Sequence, residues 1–491
     1  MRAAAALLWL ALAAQAPAQT RVVALPGKSP LVNFRIVFLT GAAADPADKP
    51  GLASLTAAML AQGGTRKLTY PQIVDALFPL AASVAHQVDK EMTTFSAVTH
   101  ADNLEAFYGL LRPMLLEPGW RPDDLQRLRD DHVNFLRVTL RGNNDEELGK
   151  EVLYNQIYRG HPYGRHNAGA VAGLRKITVD DLQRFYRAHY TRRNLILGLA
   201  GGYPAQFLER VKKDFETLPA SGAAPAPLPQ PAAIAGTRVT MIEKDTRSVA
   251  ISLGFPIRVR RGHPDFLPLL VAQSWLGQHR SSGGRLYQSI REDRGLNYGD
   301  YAYIEYFPGG MFQFEPDPNL ARHQQIFQLW LRPLEPPTAH FTLRLALYEV
   351  DKLLREGIPA EEFERTRAFL SRSVNLLTKT KIAELGYAID SLYYGIPGYT
   401  SYVKSGLAKL TREDVQRAVR RHWRTENLEI VIIARGAEDL KKRLLAGEAS
   451  PMRYNAPKPD EILREDKIVE SRKIPLAPDA VRIVPVERIF E

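Results

Sequence analysis

The chain has 491 residues, of which 45% are hydrophobic, so it is long enough to bury cores in two or more domains. Its formal net charge is +11, but the basic residues are spread along the chain. No zinc-finger, RNA-recognition or helix-turn-helix pattern occurs, which argues against nucleic-acid binding. Cysteine is absent, so disulfides are excluded and stability must rest on core packing.

The first twenty residues have the composition of a secretory signal peptide. Arg2 gives the positive end, residues 3–14 an apolar run, and residues 16–18 a cleavage site between small residues. The run is shorter than the roughly 20 residues that span a bilayer. We expect residues 1–18 to be removed. The mature protein, without a transmembrane segment, should be exported to the periplasm or the extracellular space.

The first half alternates between strand and helix patterns. A short helix is predicted over Pro50–Gln62, because proline suits a first helical turn and Gly63 and Gly64 suit a helix end. The residues between them are nearly all apolar, which indicates a buried helix. The other predicted elements here are a strand over Val32–Thr40, helices over Leu104–Leu116 and Pro122–Arg141, and a strand over Leu195–Ala200.

An internal repeat divides the chain. Residues 178–195 and 411–428 carry the same Thr, His and Asn landmarks at a constant offset of 233 residues. Each copy predicts a helix capped by its threonine, Thr178 or Thr411, followed by a short turn and a strand. The chain therefore contains two copies of one structural unit.

The second half has the same kind of pattern. Its predicted elements are strands over Val249–Ile257 and Leu428–Ala434, and helices over Pro264–Leu276, Thr338–Gly357, Pro359–Lys379 and Ile382–Tyr394. Residues 218–236, rich in Ala and Pro, predict an exposed linker between the halves. We therefore predict an α+β fold with an N-terminal domain over 22–217, a C-terminal domain over 237–437 and an extension over 438–491.

The buried helix has a setting that resembles the zinc helix of the insulinase-like (pitrilysin, M16) metallopeptidases. In that family the frame Gly-Leu-Ala-His-x-x-Glu-His places two zinc ligands and the general base on one helix. The matching residues here are Ser54, Ala57 and Ala58, so both His positions and the Glu position are vacant. The family's third ligand, a Glu about 77 residues further on, falls on Phe135.

The resemblance covers roughly Val22 to Ala437. It implies two duplicated M16-type domains, each a mostly antiparallel sheet covered by helices, that form a clam-shell. His86, His100 and His132 are the histidines of the first half before His161, and a replacement metal site among them is conceivable. Their spacing matches no ligand pattern, which favours histidines with structural or surface positions.

The second half keeps a different family motif. The segment 283–298 resembles the family's second signature, in which an Arg and a Tyr seven residues apart hold the substrate carbonyl and stabilise the oxyanion. The matching residues are Arg291 and Tyr298. The structural alternative is that Arg291 ends a helix and Tyr298 packs on the sheet.

Together these features predict a non-catalytic subunit. It would bind peptide and supply Arg291 and Tyr298 to a zinc-bearing partner peptidase with a His-x-x-Glu-His motif, or act as a homodimer. No cofactor is expected in the chain itself, with zinc only in the partner. The alternative is a structural or peptide-binding protein of the same fold with no role in proteolysis.

Overall fold

The computed structural model describes residues 20–223 and 227–491, so the predicted signal peptide lies outside the described residues. The strands are β1 (Arg21–Pro26), β2 (Leu31–Phe38), β3 (Ser83–Val88), β4 (Thr93–His100), β5 (Leu195–Gly201), β6 (Arg238–Glu243), β7 (Val249–Ile257), β8 (Gly299–Tyr303), β9 (Gln325–Leu334), β10 (Glu429–Ala434) and β11 (Val481–Pro485).

The α-helices alternate with these strands in both halves. They are α1 (Leu52–Gln62), α2 (Tyr70–Leu77), α3 (Leu104–Leu116), α4 (Pro122–Asn134), α5 (Arg141–Asn143), α6 (Asp145–Ile157), α7 (Val171–Leu174), α8 (Val179–His189), α9 (Ala205–Phe215), α10 (Phe266–Gly277), α11 (Ala339–Glu356), α12 (Ala360–Ser373), α13 (Lys381–Tyr394), α14 (Tyr399–Leu407), α15 (Arg412–His422), α16 (Ala437–Ala446) and α17 (Asp460–Ser471). Two π-helical segments, Phe135–Leu140 and Tyr287–Glu292, interrupt this pattern.

Each half builds one mixed sheet, and the two sheets have the same topology. The first sheet has the order β1-β5-β2-β4-β3, and the second has β6-β10-β7-β9-β8 with β11 added outside β6. In each, the pair β1–β5 or β6–β10 is parallel and the pairs that follow are antiparallel. This correspondence confirms the duplicated α+β fold that the internal repeat predicts.

The capped helices of the repeat are confirmed in both copies. Thr178 accepts a hydrogen bond from the backbone of Asp181, whose carboxylate accepts one in return from the Thr178 backbone. Thr411 and Asp414 form the same reciprocal pair at the start of α15. Each helix is followed, after a short turn, by an interior strand of its sheet, β5 or β10.

The halves exchange one helix each. α6, from the first half, packs on β7 and β10 of the second sheet, whereas α13, from the second half, packs on β5, β2 and β1 of the first. A β-carbon on Gly149 of α6 would lie 2.9 Å from Ser252 Oγ. One on Gly198 of β5 would lie 2.8 Å from Ile389 Cδ1 of α13. Glycine therefore permits the close approach at both exchanged contacts.

Some predicted boundaries need correction. The helix predicted over Pro50–Gln62 begins at Leu52, because Gly51 takes the left-handed conformation with φ of 100°. The helix predicted over Pro122–Arg141 changes to π geometry after Asn134. The predicted linker has no helix or strand over its described residues, yet both of its ends are anchored, since Leu218 and Ile234 are buried.

The C-terminal extension is an integral part of the fold. Its strand β11 pairs with β6 in parallel, and α17 packs on α11. The last residues return to the first half, where Glu491 forms ion pairs with Arg137 and Arg141. Across residues 20–223 and 227–491, no helix combines the length and the apolar character that crossing a membrane requires.

Candidate functional site

The buried helix α1 is capped by a distant carboxylate. Asp45 Oδ2 accepts a hydrogen bond of 2.7 Å from the Gly51 N–H, and its Oδ1 accepts one of 2.7 Å from the Ala53 N–H. These contacts satisfy backbone donors that the first turn of a helix leaves unpaired. Burial raises the pKa of Asp45 to about 7, although the two backbone hydrogen bonds oppose that shift. Asp45 therefore fixes where α1 begins.

Two of the three predicted site residues on α1 lie within the packed core. Ala57 and Ala58 are 0% and 1% exposed, and neither carries a donor atom. Phe135, at the start of the first π-helical segment, contacts the His166 ring at a centroid distance of 6.0 Å. Three of the four motif positions therefore offer only hydrocarbon or aromatic carbon.

The fourth position, Ser54, is paired with a histidine. Ser54 Oγ lies 2.9 Å from His132 Nε2, and His132 Nδ1 lies 2.8 Å from the Leu128 carbonyl oxygen. Because a carbonyl only accepts, Nδ1 carries the proton and Nε2 accepts from the serine hydroxyl. Burial lowers the pKa of His132, which favours this neutral form. Helix α4 therefore contacts α1 through this Ser–His hydrogen bond, in addition to the bond of 2.6 Å that Arg127 donates to the Gln62 carbonyl oxygen.

The other two candidate histidines do not complete a metal site. His86, on the edge strand β3, has its pKa lowered to about 4 by burial and by nearby His132. His100 instead caps a turn at the end of β4, where its Nδ1 accepts from the Asp102 N–H at 3.2 Å. Over residues 20–223 and 227–491, no three His, Asp or Glu side chains are grouped so that they could hold a metal ion.

The pairing of Ser54 with His132 was missed by sequence reasoning, but a signal for it existed. His132 lies three residues before Phe135, which is about one helical turn, so it is on the same face as the third motif position. The C-terminal extension also reaches the surroundings of Phe135, since the Phe490 ring lies 5.0 Å from the His166 ring. No local pattern in the extension indicates that contact.

In the second half, Arg291 and Tyr298 lie beside each other. Arg291 lies in the last turn of the second π-helical segment, and Tyr298 immediately precedes the edge strand β8. The guanidinium carbon of Arg291 lies 4.3 Å from the Tyr298 ring centroid and 4.8 Å from that of Tyr287. Arg291 Nη1 also donates to the Tyr298 carbonyl oxygen at 3.3 Å.

The electrostatic surroundings of Arg291 differ from those of its neighbours. Among the described residues, the one carboxylate within 4.0 Å of Arg291 is that of Glu292, which is half exposed, whereas Arg294 is fully buried and bonded to Glu465 and Asp466. Tyr298 is 68% exposed. The pair therefore presents a cation and a phenol at the surface, and within the described residues no ion pair joins Arg291 to a buried carboxylate.

Comparison with family models decides the family. Residues 22–171 match the model of the insulinase peptidases, family M16, and residues 176–370 match the model of the peptidase M16 inactive domain. The chain belongs to the M16 family. The domain named inactive is the one that contains Arg291 and Tyr298.

Relatives of this M16 chain include proteins named as proteases. It is 24% identical over 314 residues to an uncharacterized zinc protease of Bacillus subtilis, covering 64% of this chain and 71% of that protein. It is 25% identical over 368 residues to an uncharacterized zinc protease of Streptomyces coelicolor, covering 73% and 75%. It is 24% identical over 224 residues to the probable mitochondrial-processing peptidase subunit beta of Arabidopsis thaliana, covering 45% and 42%.

Solved M16 structures share the fold. A peptidase M16 inactive domain from Pseudomonas fluorescens superposes with a TM-score of 0.73 at 22% identity, covering 85% of this chain and 96% of that chain. The periplasmic protease PqqL from Escherichia coli gives a TM-score of 0.66 at 14% identity, covering 94% of this chain and 50% of that chain.

The residues of this M16 chain do not fit a zinc ion. A catalytic zinc needs three protein ligands with nitrogen, sulfur or oxygen donors. Ala58 and Phe135 supply none, and the Ser54 hydroxyl is already bonded to His132. The general-base position is Ala57, which cannot accept a proton. The four motif positions therefore do not provide the ligands and the base of the family's zinc site.

Proposed function

We propose that this M16 chain is a non-catalytic subunit that binds peptide and supplies Arg291 and Tyr298 to a zinc-bearing partner peptidase. The observation that carries the proposal is the surface position of Arg291, which forms no ion pair with a buried carboxylate among the described residues, in a chain whose own zinc positions offer no free ligand atom. A guanidinium and a phenol can both donate to the oxyanion of a peptide carbonyl.

The neighbouring arginines support this reading of Arg291. Arg285 donates to both oxygens of the buried Glu349, at 2.9 and 3.0 Å, and so has a structural role. Within the described residues, Arg291 makes one hydrogen bond, to a backbone carbonyl, which leaves most of its donors available. An arginine that must bind a substrate carbonyl needs such donors.

The partner would carry the His-x-x-Glu-His motif and the zinc ion, and the assembly would act on peptides outside the cytoplasm. That location follows from the signal-peptide pattern of residues 1–18. A second copy of this chain is a further possible neighbour, but it would bring no zinc ligands of its own.

The proposal is tested by purification from the native host. The chain is captured with its complex, the co-purified proteins are identified by mass spectrometry, and an M16 protein with an intact zinc motif is expected among them. Turnover of a peptide library by that complex is then compared for Arg291→Ala, Tyr298→Phe and the control Arg412→Ala, which lies on the exposed face of α15.

We expect each site variant to reduce turnover by about 10²–10³-fold, while complex formation and the control are unchanged. Unchanged turnover per complex, or the absence of any zinc-bearing M16 partner, would overturn the proposal. Either result would favour a structural or peptide-binding protein with no role in proteolysis.

A further inference from the structure

We propose that the open cleft beside Tyr298 selects peptides that carry acidic side chains. This inference rests on the proposed peptide-binding function and specifies its substrate class. It concerns the residues around Tyr298, and the Arg291–Tyr298 pair itself has no part in the selection.

The cleft has a volume of about 640 Å³, which is within the usual range of ligand-binding sites. Four separate segments form its walls: residues 247–248 before β7, residues 294–298 before β8, residues 452–458 of the C-terminal extension, and residues 333–338 from the end of β9 to the start of α11. Tyr298 is part of the second wall. A peptide held at Tyr298 would therefore run directly into this cleft.

The charged side chains that line the cleft are mainly basic. Arg247 and Arg453 are exposed, and within the described residues neither forms an ion pair. Lys458 donates to the backbone carbonyl of Asp293, which is a neutral acceptor and does not balance the charge of the lysine. Glu335 is the one carboxylate in the lining.

One further cation in the lining is already neutralised. Arg294 is fully buried, and its guanidinium donates to Asp466 Oδ1 at 2.8 Å and to Glu465 Oε2 at 2.7 Å. Arg294 therefore helps to hold the second wall in place, and its charge is not available to a ligand. The accessible charge of the cleft comes from Arg247, Arg453 and Lys458 against Glu335.

This distribution fits a carboxylate ligand. Guanidinium groups bind carboxylates with two parallel hydrogen bonds, which gives them a geometric preference over neutral amides. The two exposed arginines come from different segments of the lining, and each can approach a side chain of a bound peptide. Because exposed ion pairs are individually weak, the selectivity should be modest and should decrease with salt.

The third wall, residues 452–458, makes the proposed selectivity specific to this chain and not common to the family. Residues 452–458 lie well beyond residue 370, where the match to the family model ends. They are nonetheless held firmly in place, since the Tyr454 hydroxyl donates to Asp466 Oδ2 at 2.6 Å and Lys458 lies 5.2 Å from the Tyr454 ring. The extension thus adds Arg453 and Lys458 to a site that the family signature builds only in part.

The test uses the purified full-length chain and three fluorescein-labelled decapeptides with one common Ala-Leu sequence. The peptides differ only in carrying two Glu, two Gln or two Lys residues at the same positions, and binding is measured by fluorescence polarisation. We expect the Glu peptide to bind about two- to tenfold more tightly than the Gln peptide, and the Lys peptide most weakly. This preference should shrink between 50 and about 300 mM salt.

Two variants test whether the preference for the Glu peptide depends on the arginines of the cleft. The double variant Arg247→Glu, Arg453→Glu should bind the Lys peptide better than the Glu peptide, whereas Arg412→Glu, which changes an exposed arginine outside the cleft, should keep the original order. Equal binding of the three peptides, or an unchanged order in the double variant, would overturn the charge preference alone. Failure of all three peptides to bind would overturn both this inference and the peptide-binding function.

Discussion

Arg322 Nε donates to Asp89 Oδ2 at 2.7 Å, and this ion pair joins the second half of the chain to the first. Both side chains are 0% exposed. Asp89 also accepts from Asn167 Nδ2 at 3.0 Å, and the guanidinium carbon of Arg322 lies 3.6 Å from the Tyr306 ring centroid. The contact between the halves therefore contains a charged pair with no access to water.

Removing one member of this pair should destabilise the protein strongly. Arg322→Met leaves Asp89 as a buried, unpaired carboxylate, which typically costs about 3–5 kcal/mol. The matched control is Arg435→Met, since Arg435 pairs with Asp245 at the surface, where a salt bridge contributes about 0–1 kcal/mol. Urea denaturation measures both, and similar losses in the two variants would contradict the expectation.

Restoring a zinc site together with its general base should require four changes. We expect the wild-type chain, after dialysis, to contain no stoichiometric zinc and to cleave no peptide by itself. The combination Ser54→His, Ala57→Glu, Ala58→His and Phe135→Glu should bind zinc, because it restores three ligands and the base. The same variant without Phe135→Glu should bind zinc more weakly, since it has lost one ligand.

Elemental analysis of the purified wild-type chain and its variants measures the zinc content of each protein. Because Ala57 and Ala58 are buried, the larger side chains should also lower the free energy of unfolding by about 1–3 kcal/mol through overpacking. A tightly held zinc ion in the wild-type chain would refute the assignment of Ser54, Ala57, Ala58 and Phe135 as vacant positions.

Asp45 should make stability depend on pH in an unusual direction. Its pKa is about 7 in the folded state against an ordinary value of 3.8, so the folded state holds the proton more tightly. The free energy of unfolding should therefore fall as pH rises from about 4 to about 7, by at most about 1.4 kcal/mol per pH unit. In Asp45→Asn this contribution should be absent, so the variant gains stability relative to wild type across that window.

Asp414 provides a control in which stability should change with pH in the opposite direction. Hydrogen bonds from Thr411 lower the pKa of Asp414, so its stabilising contribution is present above its ordinary pKa of 3.8 and is lost as pH falls below it. The difference between wild type and Asp414→Asn should thus disappear in acid. Thermal melting from pH 3 to pH 8 measures both variants, and parallel profiles for the two would contradict the assignment of Asp45.

Arg291 and Arg294 should differ sharply in their effect on stability. Arg291→Ala removes a partly exposed side chain, and such surface changes usually alter the free energy of unfolding by no more than about 0.5 kcal/mol. Arg294→Ala leaves Asp466 without the buried guanidinium that pairs with it, so a loss of several kcal/mol is expected. If Arg291→Ala were the more damaging change, Arg291 would be structural.

The sequence was sufficient for features that local chemistry determines. The Thr–Asp capping pairs, the strand Val249–Ile257 and the helix Leu104–Leu116 each depend on residues close together in the chain, and the structure reproduces them. The vacant motif was visible because alanine cannot coordinate a metal in any fold.

Other features depend on contacts between distant residues, which no local pattern encodes. The partner of Ser54 comes from a helix 78 residues further along the chain. The place of Glu491 beside Arg141 is set by the path of the whole extension. The amphipathic periodicity of α13 indicates a buried face, but not that the sheet it covers belongs to the other half.

The exchange of α6 and α13 also determines when the protein can finish folding. During synthesis, the last strand of the first sheet, β5, is complete at residue 201, but the helix that covers its open face begins only at residue 381. At about 5–20 residues per second, these 180 residues take the ribosome roughly ten to forty seconds. Until then one face of the first sheet lacks the helix that covers it. For the exported subunit proposed above, this delay would keep the nascent chain threadable through a translocation channel for longer than in a tandem of two self-sufficient domains.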